Sequence, residues 1–255
     1  MLLAIDVGNT NITFGVFDGS KLVSGFRCES ARGRQADEYE MFVIKMLELH
    51  GVGRQAIQTS IIASVVPPLT DVMIEAVRKA FAREPLVVGP GIRTGMPILY
   101  DNPREVGADR IVNAVAAYEK EHTALIVVDF GTATTFDCIT AKGEYLGGVI
   151  TPGVLISAEA LFEHAARLSR IEIAVPPKVI GRNTTHSMQA GIVIGYACMV
   201  DGMVERIKAE LGDPCAVIAT GGLARLIAGQ TRSIQRVEDN LTLEGLRLLY
   251  DRNVS

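Results

Sequence analysis

Two short stretches of this 255-residue sequence place an aspartate and a glycine directly after an apolar run. The first occupies residues 6–10 (DVGNT), and the second begins 123 residues later, at 129–133 (DFGTA). A carboxylate at the carboxyl end of a buried strand lies where open α/β sheets bind ligands. Backbone N–H groups in a glycine turn can hold phosphate oxygens, and the carboxylate can hold a cation. The pair therefore indicates a site for a nucleotide triphosphate.

A single turn of this kind also has a purely structural explanation. Gly8 and Gly131 would supply positive φ angles to hairpins, and Asp6 and Asp129 would cap the turns. For one copy alone this explanation is the stronger one. Recurrence at a fixed spacing favours phosphate binding.

The sequence around the two turns also repeats. With the same offset of 123 residues, residues 21–25 align with residues 144–148. This repeat predicts three meandering strands at the start of each half. Helical periodicity and short aliphatic strands follow. We expect an α/β protein with two duplicated domains, 1–115 and 116–255, whose mixed sheets face each other across an active-site cleft. The predicted helices span 37–49, 68–81, 108–119, 184–211 and 241–251, and the predicted short strands span 60–65, 86–88 and 216–219.

A third glycine site could contact the adenosine of a nucleotide. Gly221 and Gly222 follow the predicted strand 216–219 and open a helix, where backbone without side chains can approach a ligand closely. A lone pair of glycines is weak evidence by itself. The sequence has no GxxxxGK[ST] phosphate loop, and its glycines at 89, 91 and 95 have the wrong spacing for GxGxxG.

Composition excludes several other classes of protein. Lys and Arg total 25 against 29 Asp and Glu, without a basic run, so nucleic acid is not an expected partner. The four cysteines form no CxxC pair and suggest thiols in a reducing compartment. The longest apolar helical stretch, 190–200, is shorter than the roughly 20 residues of a membrane span. We expect a cytoplasmic enzyme that does not bind membranes.

Four motifs together resemble the type III pantothenate kinase family, within the superfamily of acetate kinase, sugar kinases, Hsp70 and actin. They are DVGNTNITFGVF at 6–17, DNPREVGADRIVNA at 101–114, DFGTATTFD at 129–137 and GGVITPG at 147–153. The resemblance covers essentially the whole chain. It implies two ribonuclease-H-like (actin-like ATPase) domains and ATP-dependent phosphorylation of pantothenate to 4'-phosphopantothenate, the first step of coenzyme A synthesis. It also implies Mg²⁺ and a monovalent cation, K⁺ or NH₄⁺, as cofactors.

The resemblance also assigns roles to individual residues. Asp109 matches the catalytic base, Asp129 matches the ligand of the monovalent cation, and Asp6 could hold Mg²⁺ through water. The residues that match ATP contacts are Asp6, Val7, Gly8, Asn9, Thr10, Asn11, Ile12, Thr13 and Thr132. The residues that match pantothenate contacts are Tyr100, Gly107, Ala108, Asp109, Arg110 and Thr184.

Apart from the resemblance, phosphoryl transfer itself requires a group that accepts the proton of the attacking hydroxyl. Asp109 follows a turn and precedes an apolar helix, so it is expected at a helix start, where an ordinary N-cap aspartate is the simpler explanation. Arg110 suits a carboxylate such as that of pantothenate, although it could be a solvated cation. Tyr100 could be only a half-buried aromatic residue, and Thr184 only the N-cap of the helix that follows.

The helix that begins near Thr184 is apolar around most of its circumference. Gly191 and Gly195 give it a face of small residues, which in a protein outside membranes means close packing in the core or across a two-fold interface. We expect a homodimer whose interface includes this helix. Two other functions remain open, namely a related kinase for acetate or a sugar and a non-catalytic binding protein with the same fold.

Overall fold

The computed structural model describes residues 1–165, 168–212 and 214–254. The chain divides into two compact units. The first consists of Met1–Gly95, Asp101–Ala116 and the C-terminal stretch from Leu241, and the second consists of Met96–Tyr100 and Ala117–Asn240. This division differs from the expected boundary at 115 and 116, because the last helix returns to the first unit and a five-residue segment joins the second.

The first unit is built on a five-stranded mixed sheet in the order β3-β2-β1-β4-β5. The strand β1 is antiparallel to β2 and parallel to β4, so it lies inside the sheet. The strands are β1 (Leu2–Val7), β2 (Asn11–Asp18), β3 (Lys21–Glu29), β4 (Thr59–Ser64) and β5 (Leu86–Val87). The helices that carry residues of this unit are α1 (Ala36–Leu49), α2 (Pro67–Phe81), α3 (Ala108–Glu121), which continues into the second unit, and α8 (Leu241–Val254).

The second unit repeats this topology strand for strand. Its sheet has the order β8-β7-β6-β9-β10, with β6 antiparallel to β7 and parallel to β9. The strands are β6 (Leu125–Phe130), β7 (Ala133–Ile139), β8 (Tyr145–Pro152), β9 (Ala216–Thr220) and β10 (Arg236–Val237). The remaining helices are α4 (Val154–His164), α5 (Thr184–Gln189), α6 (Gly195–Leu211) and α7 (Ala224–Ala228). The predicted duplication of an α/β unit is thus confirmed.

The sheet of the first unit has helices against both of its faces. The helices α1 and α2 cover one face, and Leu243 of α8 lies against the opposite face at Gly15. In the first unit, Leu3 and Ile5 of β1 share a core with Tyr39 of α1 and Leu69 of α2. The helix α8 packs closely as well, because a Cβ on Gly245 would lie 2.2 Å from the carbonyl oxygen of Val112. This close contact within the first unit explains why the C-terminal helix belongs to it.

The helix predicted over 184–211 is continuous but not uniform. A π-helical segment, Ala190–Ile194, separates α5 from α6. Asn183 caps α5, since its side-chain oxygen accepts a hydrogen bond from the His186 N–H (2.8 Å), so the N-cap is not Thr184.

The helix over residues 184–211 has 28 residues and is, by length and composition, long and apolar enough to cross a membrane. The stretch 190–200 considered alone is too short for this. Six of the buried residues of the whole helix, however, belong to the core of the second unit, namely Ile192, Val193, Ala197, Val200, Val204 and Ile207.

Candidate active site

The first Asp-Gly turn connects β1 to β2 in the first unit. Asp6 pairs with Thr13 in the ladder and is half-buried, and the last ladder pair is Val7 with Ile12, both fully buried. The N–H of Gly8 donates to the carbonyl of Asn11 (3.0 Å), and a Cβ on Gly8 would lie 3.0 Å from that same oxygen. This tight turn holds four residues at the end of a buried strand. Of the predicted phosphate loop, Asn9, Thr10 and Asn11 are exposed.

Ser30, at the end of β3, supports this turn, although no sequence motif identifies it. Its hydroxyl donates to the carbonyl of Gly8 (2.6 Å), and its N–H donates to the carbonyl of Thr10 (2.9 Å). Hydrogen bonds from Ser30 therefore fix two carbonyl groups of the loop. Such fixed backbone is what preorganised phosphate binding requires.

The segment 107–110 lies at the same edge of the first unit. The N–H of Val65 donates to the carbonyl of Val7 (3.1 Å), and a Cβ on Gly107 would lie 3.5 Å from Cγ1 of Val65. The same Cβ would lie 2.6 Å from Oδ1 of Asp109. The absence of a side chain at Gly107 is thus what admits the carboxylate.

Asp109 occupies the first turn of α3, as the sequence predicts. Its Oδ1 accepts a hydrogen bond from the N–H of Arg110 (2.8 Å). Burial raises the pKa of the Asp109 carboxyl, while the Arg110 N–H and the Arg110 charge oppose that rise. The Arg110 side chain is buried, at 8% exposure, and is not a solvated surface cation. Ala108 and Gly107 beside them are half-buried.

The second Asp-Gly turn connects β6 to β7 in the second unit. The N–H of Gly131 donates to the carbonyl of Ala133 (3.1 Å), so this turn is one residue shorter than the first, in which Gly8 bonds to Asn11. Asp129 is half-buried between Thr135 of β7 and Thr220 of β9. Thr132 is exposed at the tip of the turn.

Two glycines from other segments approach this second turn very closely. A Cβ on Gly221, whose φ is +98°, would lie 2.5 Å from Oδ1 of Asp129. A Cβ on Gly153 would lie 2.1 Å from the carbonyl oxygen of Thr132. Tyr196 supports Gly153 from α6, because its hydroxyl lies 2.9 Å from the carbonyl oxygen of Pro152 and 3.2 Å from that of Gly153. The contact of Gly221 with Asp129 connects the third glycine site to the second turn.

The two other predicted pantothenate contacts lie in the second unit. Tyr100 is half-buried beside β8, where a Cβ on Gly147 would lie 3.1 Å from its ring. Thr184 is exposed at the first position of α5.

Within the described part of the chain, no group of three or more His, Cys, Asp and Glu side chains is arranged to hold a metal ion. The half-buried carboxylates of Asp6 and Asp129 lie in separate turns. One carboxylate together with substrate phosphates is the usual environment of Mg²⁺ in nucleotide-dependent enzymes. The donor set of each turn, a carboxylate with backbone carbonyls, consists of oxygen ligands that suit hard cations.

Comparison with known proteins identifies the family. A sequence profile described as Type III pantothenate kinase matches residues 2–206. The Type III pantothenate kinase of Geobacter sulfurreducens is 58% identical over 253 residues, and that of Myxococcus xanthus is 56% identical over 253 residues; each alignment covers 99% of both chains. The chain belongs to the type III pantothenate kinase family. Members of this family are phosphotransferases that phosphorylate pantothenate in coenzyme A biosynthesis, so the family and the activity class expected from the sequence are confirmed.

Solved structures of distant proteins share the fold. Component A of the (R)-2-hydroxyglutaryl-CoA dehydratase from Acidaminococcus fermentans superimposes with a TM-score of 0.56 at 14% identity, covering 98% of this chain and 96% of that one. The ROK hexokinase from Thermus thermophilus has a TM-score of 0.50 at 13% identity, covering 97% of both chains. At these identities the likeness concerns the fold alone, which agrees with duplicated actin-like ATPase domains in this family.

Replacement of Gly221 tests the close approach at the second turn. Gly221→Ala introduces a Cβ that overlaps Asp129 Oδ1 and the backbone of Phe130, in a backbone conformation that alanine avoids. We expect at least a tenfold loss of kcat/KM, of the order caused by small misplacements in active sites, and a lower melting temperature. Gly19→Ala is the matched control, because Gly19 also has a positive φ (+57°) but a Cβ there would meet nothing within 4 Å. Equal activity in the two variants would contradict the role assigned to this contact.

Proposed function

We propose that this protein transfers the γ-phosphoryl group of ATP to the 4'-hydroxyl of pantothenate, with Asp109 as the general base. The hydroxyl oxygen attacks the γ-phosphorus, its proton passes to the Asp109 carboxylate, and the bond to the β–γ bridging oxygen breaks to release ADP. The observation that carries this proposal is the Asp109 carboxylate, held over Gly107 at the edge that also carries the Asp6 turn.

The other assigned residues would bind and orient the two substrates. The turn at residues 6–13 presents backbone and exposed polar side chains to the ATP phosphates, and Thr132 offers a hydroxyl from the second turn. Tyr100, Thr184 and the segment 107–110 would contact pantothenate. Arg110 supports this assignment, because a buried guanidinium can bind a carboxylate with two parallel hydrogen bonds.

Replacement of Asp109 tests the assignment of the base. We expect Asp109→Asn to lower kcat by about 10² to 10⁴-fold, the usual contribution of general-base catalysis, while ATP affinity changes less than about twofold. Asp71→Asn, at an exposed position on α2, is the matched control and keeps full activity. Near wild-type kcat in the Asp109 variant would show that another group accepts the proton.

The pH dependence of the reaction offers a second readout for the same residue. Because burial raises the pKa of Asp109, the carboxyl becomes protonated at a higher pH than an ordinary aspartate, whose pKa is about 3.9. The base works only when ionised, so kcat/KM for pantothenate should fall with decreasing pH along a limb above that value. An acid limb at or below pH ~4 would argue against Asp109 as the group that titrates.

We infer that catalysis also uses Mg²⁺ and a monovalent cation, K⁺ or NH₄⁺. Mg²⁺ when bound neutralises phosphate charge, and Asp6 would hold it through water. Asp129 would hold the monovalent cation beside the second turn, where oxygen donors lie close together.

Replacement of the monovalent cation tests this role. With Mg²⁺ present and K⁺ replaced by tetramethylammonium, we expect the wild-type rate to fall at least tenfold, on the order of the loss of one electrostatic contact. Full activity with Mg²⁺ as the sole inorganic cation would exclude this role.

We further propose a cytoplasmic homodimer. Exposed apolar side chains in the second unit support a covering partner: Leu155 and Ile156 of α4, and Val179 and Ile180 before α5. Gly191 and Gly195 are exposed with open space around them, which would let a second helix approach closely. Four cysteines without disulfides suit a reducing compartment.

Light scattering tests the dimer directly. We expect the wild-type protein to have the mass of two chains. Gly195→Arg should yield monomers with weaker pantothenate binding and unchanged ATP binding, if the interface helps to form the pantothenate pocket. A fully active wild-type monomer would refute the proposal.

A further inference from the structure

The segment 96–100 runs along the edge of the second sheet. The N–H of Tyr145, at the start of β8, donates to the carbonyl of Pro97, and the N–H of Leu99 donates to the carbonyl of Tyr145, both at 2.8 Å. Ile98 forms a parallel bridge with the same residue. Two backbone hydrogen bonds to one residue therefore fix the chain immediately before Tyr100.

Tyr145 is itself held by a buried carboxylate. Its hydroxyl donates to Oδ1 of Asp137 (2.7 Å), and the Thr135 hydroxyl donates to Oδ2 of the same side chain (3.2 Å). Tyr145 and Asp137 are both fully buried. The residue that fixes the segment is thus anchored in the interior of the sheet and is not free to shift.

A β-bulge in β8 brings Gly147 beneath the Tyr100 ring. Cys138 pairs with Gly147 and Ile139 pairs with Tyr145, so the register shifts and Leu146 is the extra residue. Gly147 has a φ of +125°, and a Cβ there would lie 3.1 Å from both Cδ2 and Cε2 of Tyr100. That distance is shorter than ordinary van der Waals contact, so any side chain at 147 would displace the ring.

We propose that Gly147 is a positioning residue for Tyr100. The bulged strand gives the Tyr100 ring a surface without a side chain, and this contact together with the hydrogen bonds of the segment 96–100 sets where the ring meets pantothenate. The inference rests on the proposed role of Tyr100 in pantothenate binding. β-Bulges are frequent next to active sites, where they change the direction of a side chain. Here the affected side chain is that of Tyr100, which belongs to the neighbouring segment 96–100.

Gly147 could instead be required only by the backbone of the bulge. In that case Gly147→Ala would damage the sheet whether or not the Tyr100 ring is present. The two explanations differ in one respect, because only the positioning role makes the effect of Gly147→Ala depend on Tyr100. A double-mutant cycle measures that dependence.

The experiment compares Gly147→Ala, Tyr100→Ala and the double variant in steady-state assays with pantothenate and ATP varied separately. We expect Gly147→Ala to raise KM for pantothenate roughly three- to tenfold, as a displacement of a few tenths of an ångström can do, with kcat and KM for ATP within about twofold. Tyr100→Ala should raise KM for pantothenate roughly tenfold or more. The double variant should match Tyr100→Ala alone, because the displaced ring is already absent.

Gly143→Ala is a closely matched control. Gly143 lies in the turn of the same β7–β8 hairpin, has a positive φ (+79°), and lies against another tyrosine ring, that of Tyr118. Its replacement strains the backbone and displaces an aromatic ring, but Tyr118 has no assigned contact with substrate. We therefore expect a lower melting temperature and an unchanged KM for pantothenate.

Several outcomes would overturn the inference. An unchanged KM for pantothenate in Gly147→Ala would do so, as would an equal rise in the wild-type and Tyr100→Ala backgrounds. If Gly147→Ala fails to fold alone but folds with Tyr100→Ala, the ring contact is supported; failure to fold in both backgrounds contradicts it. If Tyr100→Ala alone leaves KM unchanged, the substrate role of Tyr100 is wrong, a result separate from the test of phosphoryl transfer with Asp109→Asn.

Discussion

Each sheet depends on a central strand that is buried on both sides and ends in an aspartate followed by a tight glycine turn. In the first unit the strand β1 lies between β2 and β4, and in the second β6 lies between β7 and β9. Burial fixes the strand, and the hydrogen bonds from Gly8 and Gly131 close the turns at 3.0 and 3.1 Å. The aspartate and the turn amides are therefore held in place before any ligand arrives. Phosphoryl transfer benefits from such preorganisation, because it asks mainly for positioning and charge stabilisation.

Most of the fold could be predicted because the two halves repeat. The offset of 123 residues predicted two similar meanders, and the sheets have the same strand order. The helix α4 was not predicted, since only Val154 and Ala158 are buried while Leu155, Ile156 and Leu161 are exposed, so no amphipathic period marks it. The return of α8 to the first unit was also missed, because an apolar helix face does not specify which of two similar sheets it packs on.

The candidate site could be predicted where it depends on local sequence and not where it depends on long-range contacts. The turns at Asp6 and Asp129 and the helix start at Asp109 follow from local patterns. The support from Ser30 and the close approach of Gly153 to the carbonyl of Thr132 join residues distant in sequence, and a serine or glycine by itself does not reveal such a contact. The expected cleft between the halves, the site roles and the cations remain predictions.

The central claim is the proposal that the turns at Asp6 and Asp129 and the segment 107–110 serve the phosphorylation of pantothenate. Release of ADP from ATP, measured with pantothenate, acetate and glucose side by side, tests it most directly. The account predicts ADP release with pantothenate and none above background with acetate or glucose. Comparable release with acetate or glucose, or no release with pantothenate, would contradict it.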